Sequence, residues 1–187
     1  RQGPAQGFYI MTNKKVEEPY SGFQGLKIRS VATYARFLDA LGCARVTVPR
    51  TDIYSALERG VIDAFIGNVS VTADLGQHEI LKYMIDHKFY QSNVVIWMNL
   101  DTWNKLDAHL QKLLVDTMAE HEKWDDTFWV STEQESRQKF VDVGVEFLKF
   151  SPGDAQWFLD LAYKSVIDEF LEASPEIGPK LLEVMGY

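Results

Sequence analysis

The sequence is short of several things, and each shortage removes a class of protein. Its single cysteine, Cys43, excludes an internal disulfide, so thiol content says nothing about the compartment in which the chain works. Positive charge is scarce: 19 lysines and arginines stand against 27 aspartates and glutamates, the net charge is −8, and no basic run exceeds Lys14-Lys15. A surface of that sign repels phosphate backbones and anionic lipids, so neither nucleic acid nor a membrane surface is an expected partner. No apolar run approaches the roughly 20 residues of a membrane-spanning helix. The first residues, Arg1-Gln2-Gly3-Pro4, lack the charged-then-apolar layout of a signal peptide.

Chemical motifs are equally sparse. There is no Walker-type phosphate loop, no Gly-x-Ser-x-Gly elbow and no dinucleotide glycine fingerprint. His78, His87, His109 and His121 never stand at ligand spacing from one another or from Cys43, so no metal site and no cofactor is expected. Asp125-Asp126 reads as a solvated helix face rather than a general acid and base. Cys43, just after Gly42, reads as a small buried hydrophobe rather than a reactive thiol.

What remains is a globular composition. With 46% hydrophobic and 25% charged residues over 187 positions, the chain can bury a sizeable core. Leu26 to Ser30 alternates apolar and polar residues as a short strand does, and Val31, Tyr34, Ala35, Leu38 and Leu41 then recur at helical spacing up to Gly42, placed as a left-handed cap. Arg45 to Pro49 predicts a second strand, with Thr51 capping a helix toward Gly60, and Ile62 to Ile66 predicts a third strand. A helix over residues 73–84 and a strand-like stretch over 88–98 follow. Asp107 to Asp142 is nearly free of Gly and Pro, with Leu110, Leu113, Leu114, Met118, His121, Trp124 and Phe128 at three-and-four spacing, which predicts one long helix. At about 1.5 Å per residue it would reach on the order of 50 Å, long enough to run across two lobes. Val145 to Phe150 predicts a strand, Ser151-Pro152-Gly153-Asp154 opens a helix, and residues 179–185 close the chain. Trp103, Trp124, Trp129 and Trp157 lie in helical patterns and read as core or lobe packing. Strands alternating with helices imply an α/β fold with a largely parallel sheet.

In such sheets ligands collect beyond the carboxyl ends of the strands. Arg29 ends the first of these strands, Asn68 follows the third, and Gln91, Ser92 and Asn93 interrupt the long apolar stretch. An arginine beside helix N-termini suits a carboxylate, because its planar guanidinium offers two parallel donors to two oxygens. The competing reading pairs Arg29 with a structural acid. For Asn68 and Asn93 the competing reading is a turn asparagine bonded to its own backbone.

Taken in order, several segments resemble the dicarboxylate-type substrate-binding proteins of TRAP (tripartite ATP-independent periplasmic) transporters. They are Gly25-Leu26-Lys27-Ile28-Arg29 with the helix ending Leu41-Gly42, the run from Pro49 through Ile53-Tyr54-Ser55-Ala56-Leu57 to Asp63, His78 to Tyr83, and Asn99-Leu100-Asp101-Thr102-Trp103 with Leu110-Gln111. The resemblance implies a two-lobed periplasmic-binding-protein-like α/β fold closing around a small organic acid, with the carboxylate-clamping arginine falling on Arg29 and a polar contact on Asn68. It implies a periplasmic receptor that performs no chemistry, takes no cofactor and hands its ligand to TRAP membrane permease subunits. Phe8 and Tyr9 stand where many members carry another arginine, which suggests an apolar or aromatic portion in the ligand. The candidate binding residues are therefore Arg29, Asn68, Asn93, Phe8, Tyr9 and Gln91.

A sizeable first-lobe segment of such proteins has no counterpart here. The expected division is residues 1–93 in the second lobe, 94–141 as a first-lobe strand and lobe-spanning helix, and 142–187 returning to the second lobe. Hinges are expected over residues 7–12, 93–96 and the distal part of the long helix. Self-association is expected if the first lobe is truncated. The alternatives are a smaller natural domain, an α/β enzyme acting on a small carboxylate with Asp63 or a histidine as base, and a ligand-sensing module without a transport role.

Overall fold

The computed structural model describes residues 7–92 and 95–186, with every side chain among them except that of Asp126. Six strands form one sheet: β1 (Gly7–Thr12), β2 (Lys27–Arg29), β3 (Ala44–Val46), β4 (Ala64–Gly67), β5 (Tyr83–Gln91) and β6 (Glu146–Leu148), in the order β3-β2-β4-β1-β5-β6. β2 pairs in parallel with β3 and β4, and β5 with β6. β1 is antiparallel to both β4 and β5, so the largely parallel sheet expected from the sequence carries one reversed strand at its centre.

Two helical layers cover the sheet. On one face α1 (Ala35–Ala40) and the long α6 (Pro152–Ala173) bury Phe37, Leu38 and Phe158 against Ile10, Ile28 and Ile85. On the other, α2 (Ile53–Glu58), α3 (Val69–Asp74) and the end of α5 (Ala108–Asp142) cover Met11, Phe65 and Met84 with Ile53, Leu57, Val69 and Phe140. The chain steps outward from β2 to β3 over the first face and back past β2 to β4 over the second. A right-handed crossover requires that change of face when the direction of travel reverses.

Local signals explain most boundaries. Gly42 follows α1 at φ +75°, a conformation costly for any residue with a Cβ. Ser151 caps α6, its hydroxyl accepting from the Asp154 N–H at 3.3 Å, with proline in the first turn. Asp107 is the N-cap residue of α5, which reaches Asp142 as the periodicity predicts. α4 (Leu100–Asn104) and α7 (Gly178–Met185) complete the helices used below.

Three expectations are corrected. The helix over residues 73–84 does not form: α3 ends at Asp74, Gly76 turns at φ +67°, Gln77–Ile80 makes a single 3-10 turn, and β5 begins at Tyr83. Pairing of β5 with β1 and β6 outweighs the local helical spacing there. Thr51 does not cap α2. It lies inside a 3-10 turn, Arg50–Asp52, and its hydroxyl bonds Asp52. Of the core-or-lobe-packing reading of Trp103, Trp124, Trp129 and Trp157 the core half does not hold: none of the four is buried, and Trp124 is 54% exposed.

α5 divides into two parts. Its last turns are anchored by Ser136 and Phe140, both buried. Upstream, Leu110, Leu113, Leu114, Val115, Met118, Trp124 and Phe128 are exposed, as are Val95 to Met98 and Leu100 before them. Trp124 stacks on Phe128 at 4.4 Å and on His121 at 5.5 Å, so the stripe holds its own rings together without burying them.

Candidate functional site

The pairing register brings the candidate residues to one edge of the sheet. Arg29 is level with Phe65 of β4, Gly67 of β4 with Tyr9, Phe8 with Tyr90, and Gly7 with Gln91. The carboxyl ends of β2, β4 and β5 and the amino end of the reversed β1 therefore lie together. With strands about 4.8 Å apart, Arg29, Asn68, Phe8 and Gln91 are distributed over three strand spacings. Asn93 lies outside the described residues.

Arg29 is half-buried, and its Nε donates to the Val48 carbonyl at 3.3 Å. Arg36 pairs with Glu172, Arg45 with Asp39, and Arg137 with Asp86 and Glu133. Among the described residues Arg29 has no carboxylate partner, so the structural-acid reading finds no acid in place. Its guanidinium is oriented by a backbone carbonyl and its terminal nitrogens are left for another acceptor.

Asn68 is buried, and its Oδ1 accepts from the Val71 N–H at 2.9 Å, capping α3. The side chain thus has the turn role anticipated as its alternative, at the mouth of the same edge. Gln91, the last residue of β5, is exposed.

Phe8 and Tyr9 point to opposite faces. Tyr9 is 6% exposed, donates its hydroxyl to Glu133 Oε1 at 3.1 Å and lies under the Arg137 guanidinium at 5.1 Å. Burial first, and then the charge of Glu133, push its phenol up to about 12. Tyr9 ties β1 to the end of α5 and is committed to that contact. Phe8, half-buried, lies on the other face, in the layer of Ile10 and Ile28, with Tyr34 and Tyr90 at ring separations of 6.4 Å and 5.4 Å.

Residues that pattern reading passed over complete the edge. Tyr34 ends the 3-10 turn following β2, and Tyr90 lies beside Phe8 in the register. Burial raises the Tyr34 phenol and the neighbouring Tyr90 adds to that, while Arg29 and Arg50 pull against both. Arg50 starts the turn two residues after Val48, the residue whose carbonyl holds Arg29. It too has no carboxylate partner among the described residues. Nothing in the local sequence marks Arg50, because a single exposed arginine after a proline is ordinary. Only the parallel pairing of β3 with β2 carries it to this edge.

Asp63 lies at the opposite end of the sheet. Its carboxylate accepts from the Lys27 N–H at 3.1 Å and its carbonyl from Asn13 N–H at 2.9 Å, so it is spent on joining β1, β2 and β4. Burial pushes the Cys43 thiol up to about 12, in keeping with a packing role. Among the described residues no group of three His, Cys, Asp or Glu side chains could hold a metal ion, and no helix is long and apolar enough to cross a membrane.

Comparison with known proteins places this edge in context. Residues 4–173 match the family described as bacterial extracellular solute-binding protein, family 7. A solute-binding protein of Chromohalobacter salexigens is 23% identical over 177 residues, covering 92% of this chain and 51% of that protein. Among solved structures, a TRAP periplasmic solute-binding protein from Desulfovibrio salexigens with bound orotic acid superposes at a TM-score of 0.85 and 18% identity, over 98% of this chain and 59% of that one. Another, from Haemophilus influenzae with bound L-gulonate, gives 0.85 and 21% identity, over 100% and 61%. The chain spans about half the length of the curated relatives it matches, 44% to 51% of each. The chain belongs to family 7 of the bacterial extracellular solute-binding proteins.

Proposed function

We propose that this chain belongs to a periplasmic receptor for a small organic acid, which it binds without chemical change and delivers to TRAP-type membrane permease subunits. The observation that carries the reading is Arg29: a half-buried guanidinium at the carboxyl end of a parallel strand, oriented by the Val48 carbonyl and paired with no carboxylate among the described residues. Elsewhere in this acidic chain Arg36, Arg45 and Arg137 are each neutralised. A cation held that way is preorganised for an anion arriving from solution. The orotate, succinate and gulonate bound by TRAP solute-binding proteins of the same fold support a carboxylate as that anion.

In this reading Arg29 clamps the carboxylate, Phe8 borders the cleft from the other face of the sheet, and Asn68 shapes its floor by holding the start of α3. Gln91 and Asn93 supply polar contacts from the β5 side, while Tyr9 acts indirectly by fixing β1 to α5. Residues 1–93 and 142–187 form one lobe. Residues 94–141 reach toward the other, and the exposed stripe from Leu110 to Phe128 packs against it. If that lobe is missing, the stripe drives self-association. Asp63, the carboxylate that an enzyme reading would use as a base, stands at the far end of the sheet in a structural role, which favours a receptor over an enzyme.

Isothermal titration of the intact protein with a panel of organic acids tests the proposal. At least one acid is expected to bind stoichiometrically and to be recovered unchanged by NMR, with binding lost in Arg29→Ala. Unaltered affinity in that variant, or product formation, would overturn it.

A further inference from the structure

We infer that Pro49 is a positioning residue of this site: by keeping Val48 in extended backbone and withholding an N–H, it aims the carbonyl that orients the Arg29 guanidinium, and so raises affinity for the carboxylate through Arg29. The inference rests on the receptor reading above and adds the part that keeps its cation still.

A long side chain that must be ordered when the ligand arrives weakens binding, so a group that fixes it beforehand improves affinity. Here that group is a backbone carbonyl, and the parallel ladder brings it into place. Arg29 stands level with Val46, and the Ser30 N–H donates to the Val46 carbonyl at 3.1 Å. One step further, a continuing ladder would give the Val48 carbonyl a backbone donor from the β2 side. β2 has already ended at Arg29, and the chain turns away into the 3-10 turn Ala32–Tyr34. Among the described residues no backbone N–H reaches the Val48 carbonyl, and the Arg29 Nε donates there instead at 3.3 Å.

Pro49 accounts for a strand-like carbonyl beyond the end of β3. The proline ring crowds the preceding residue out of helical backbone and into extended backbone, so Val48 is kept out of the turn that follows. Pro49 itself stands at φ −55° and ψ 151°, and its carbonyl accepts from the Asp52 N–H at 3.1 Å, so the turn Arg50–Asp52 begins only after it. Without an N–H it cannot extend the edge strand. Val48 is thereby held on both sides. Its side chain packs with Val46 on the layer of Ile53 and Phe65, and the turn leads straight into α2, where Ile53 and Leu57 are buried. Pro49 is exposed, so its effect lies in the backbone rather than in packing.

Two measurements on the intact protein test this in Pro49→Ala. The first is nitrogen-15 NMR of the arginine Nε–H groups without ligand. The Arg29 signal is expected to move toward that of a free arginine side chain, while those of Arg45 and Arg137, whose Nε groups donate to Asp39 and Glu133, stay in place. The second is calorimetric titration with succinate, orotate and L-gulonate. Affinity for the tightest of the three should weaken about threefold to tenfold, and the melting temperature should fall by no more than about 4 °C. In an Arg29→Lys background, which has no Nε–H for Val48 to hold, Pro49→Ala should change affinity by less than about twofold. An equal loss in both backgrounds, unaltered affinity, or an Arg29 signal that does not move overturns the role of Pro49 and leaves the receptor reading standing. If none of the three acids binds wild type, the receptor reading falls and the claim about affinity falls with it.

Discussion

The backbone N–H of Phe150 donates to Nε2 of His87 at 2.8 Å, and the two rings stack with centroids 5.0 Å apart at 21°. The contact joins β5 to the segment that opens α6, and it requires an unprotonated Nε2. Burial, and then the charge of Lys149, lower the His87 pKa, against an opposing pull from Asp86. A base whose folded pKa lies below its unfolded value favours folding when neutral. Its contribution is complete above the unfolded imidazole pKa, falls away as pH drops toward the folded pKa, and is absent below it. Melting temperature followed from about pH 7.5 to pH 5 should therefore decline. The decline should be shallower in His87→Gln, whose amide oxygen accepts the same hydrogen bond without titrating.

Arg29→Lys should not rescue the site. An ammonium keeps the charge but loses the fork and the Nε–H that Val48 orients, so affinity should fall by about 2–3 kcal/mol, some thirtyfold to a hundred-and-fiftyfold. Calorimetry on folded protein measures it directly, and parity with wild type would show that charge alone suffices.

Tyr9, Glu133, Arg137 and Asp86 form one network across β1, β5 and α5. Tyr9→Phe removes one hydrogen bond and should cost about 1 kcal/mol, whereas Arg137→Ala leaves Asp86 without its nearest cation and should cost about 2 kcal/mol or more. Urea unfolding separates the two. In an alkaline spectrophotometric titration of the folded protein, Tyr9 should ionise only near its raised pKa of about 12. Its contribution to stability is fully present below the unfolded phenol pKa and is lost as pH rises from there through the folded pKa of about 12.

Phe140 is fully buried on α5, between His78 and Phe147. Phe140→Ala should destabilise by about 3–5 kcal/mol through the cavity it leaves. Trp124→Ala, on the same helix but mostly exposed, should change urea stability of this chain by less than about 1 kcal/mol. Equal effects would mean that the upstream stripe is buried in solution.

Much of the fold was readable before any coordinates. The cap at Ser151, the left-handed Gly42 and the unbroken run from Asp107 to Asp142 are local signals, set by hydrogen bonding and conformational freedom within a few residues, and each reappears in place. Arg29 was legible as a strand-end cation for the same reason. Residues 73–84 misled because helical spacing there is local, whereas β5 exists through its pairing with β1 and β6, partners distant in sequence.

The amino-acid sequence by itself determined the α/β class, the family pattern and the presence of an arginine where a strand gives way to a turn, since all three follow from short-range order. Only the tertiary structure decided that β1 runs against its neighbours, that Tyr9 is committed to a salt-bridged network while Phe8 packs with Tyr34 and Tyr90 on the other face, and that the carboxyl ends of β2, β4 and β5 meet at one edge. Those relationships depend on strand order and register, which arise when distant segments compete to bury apolar area and satisfy backbone hydrogen bonds.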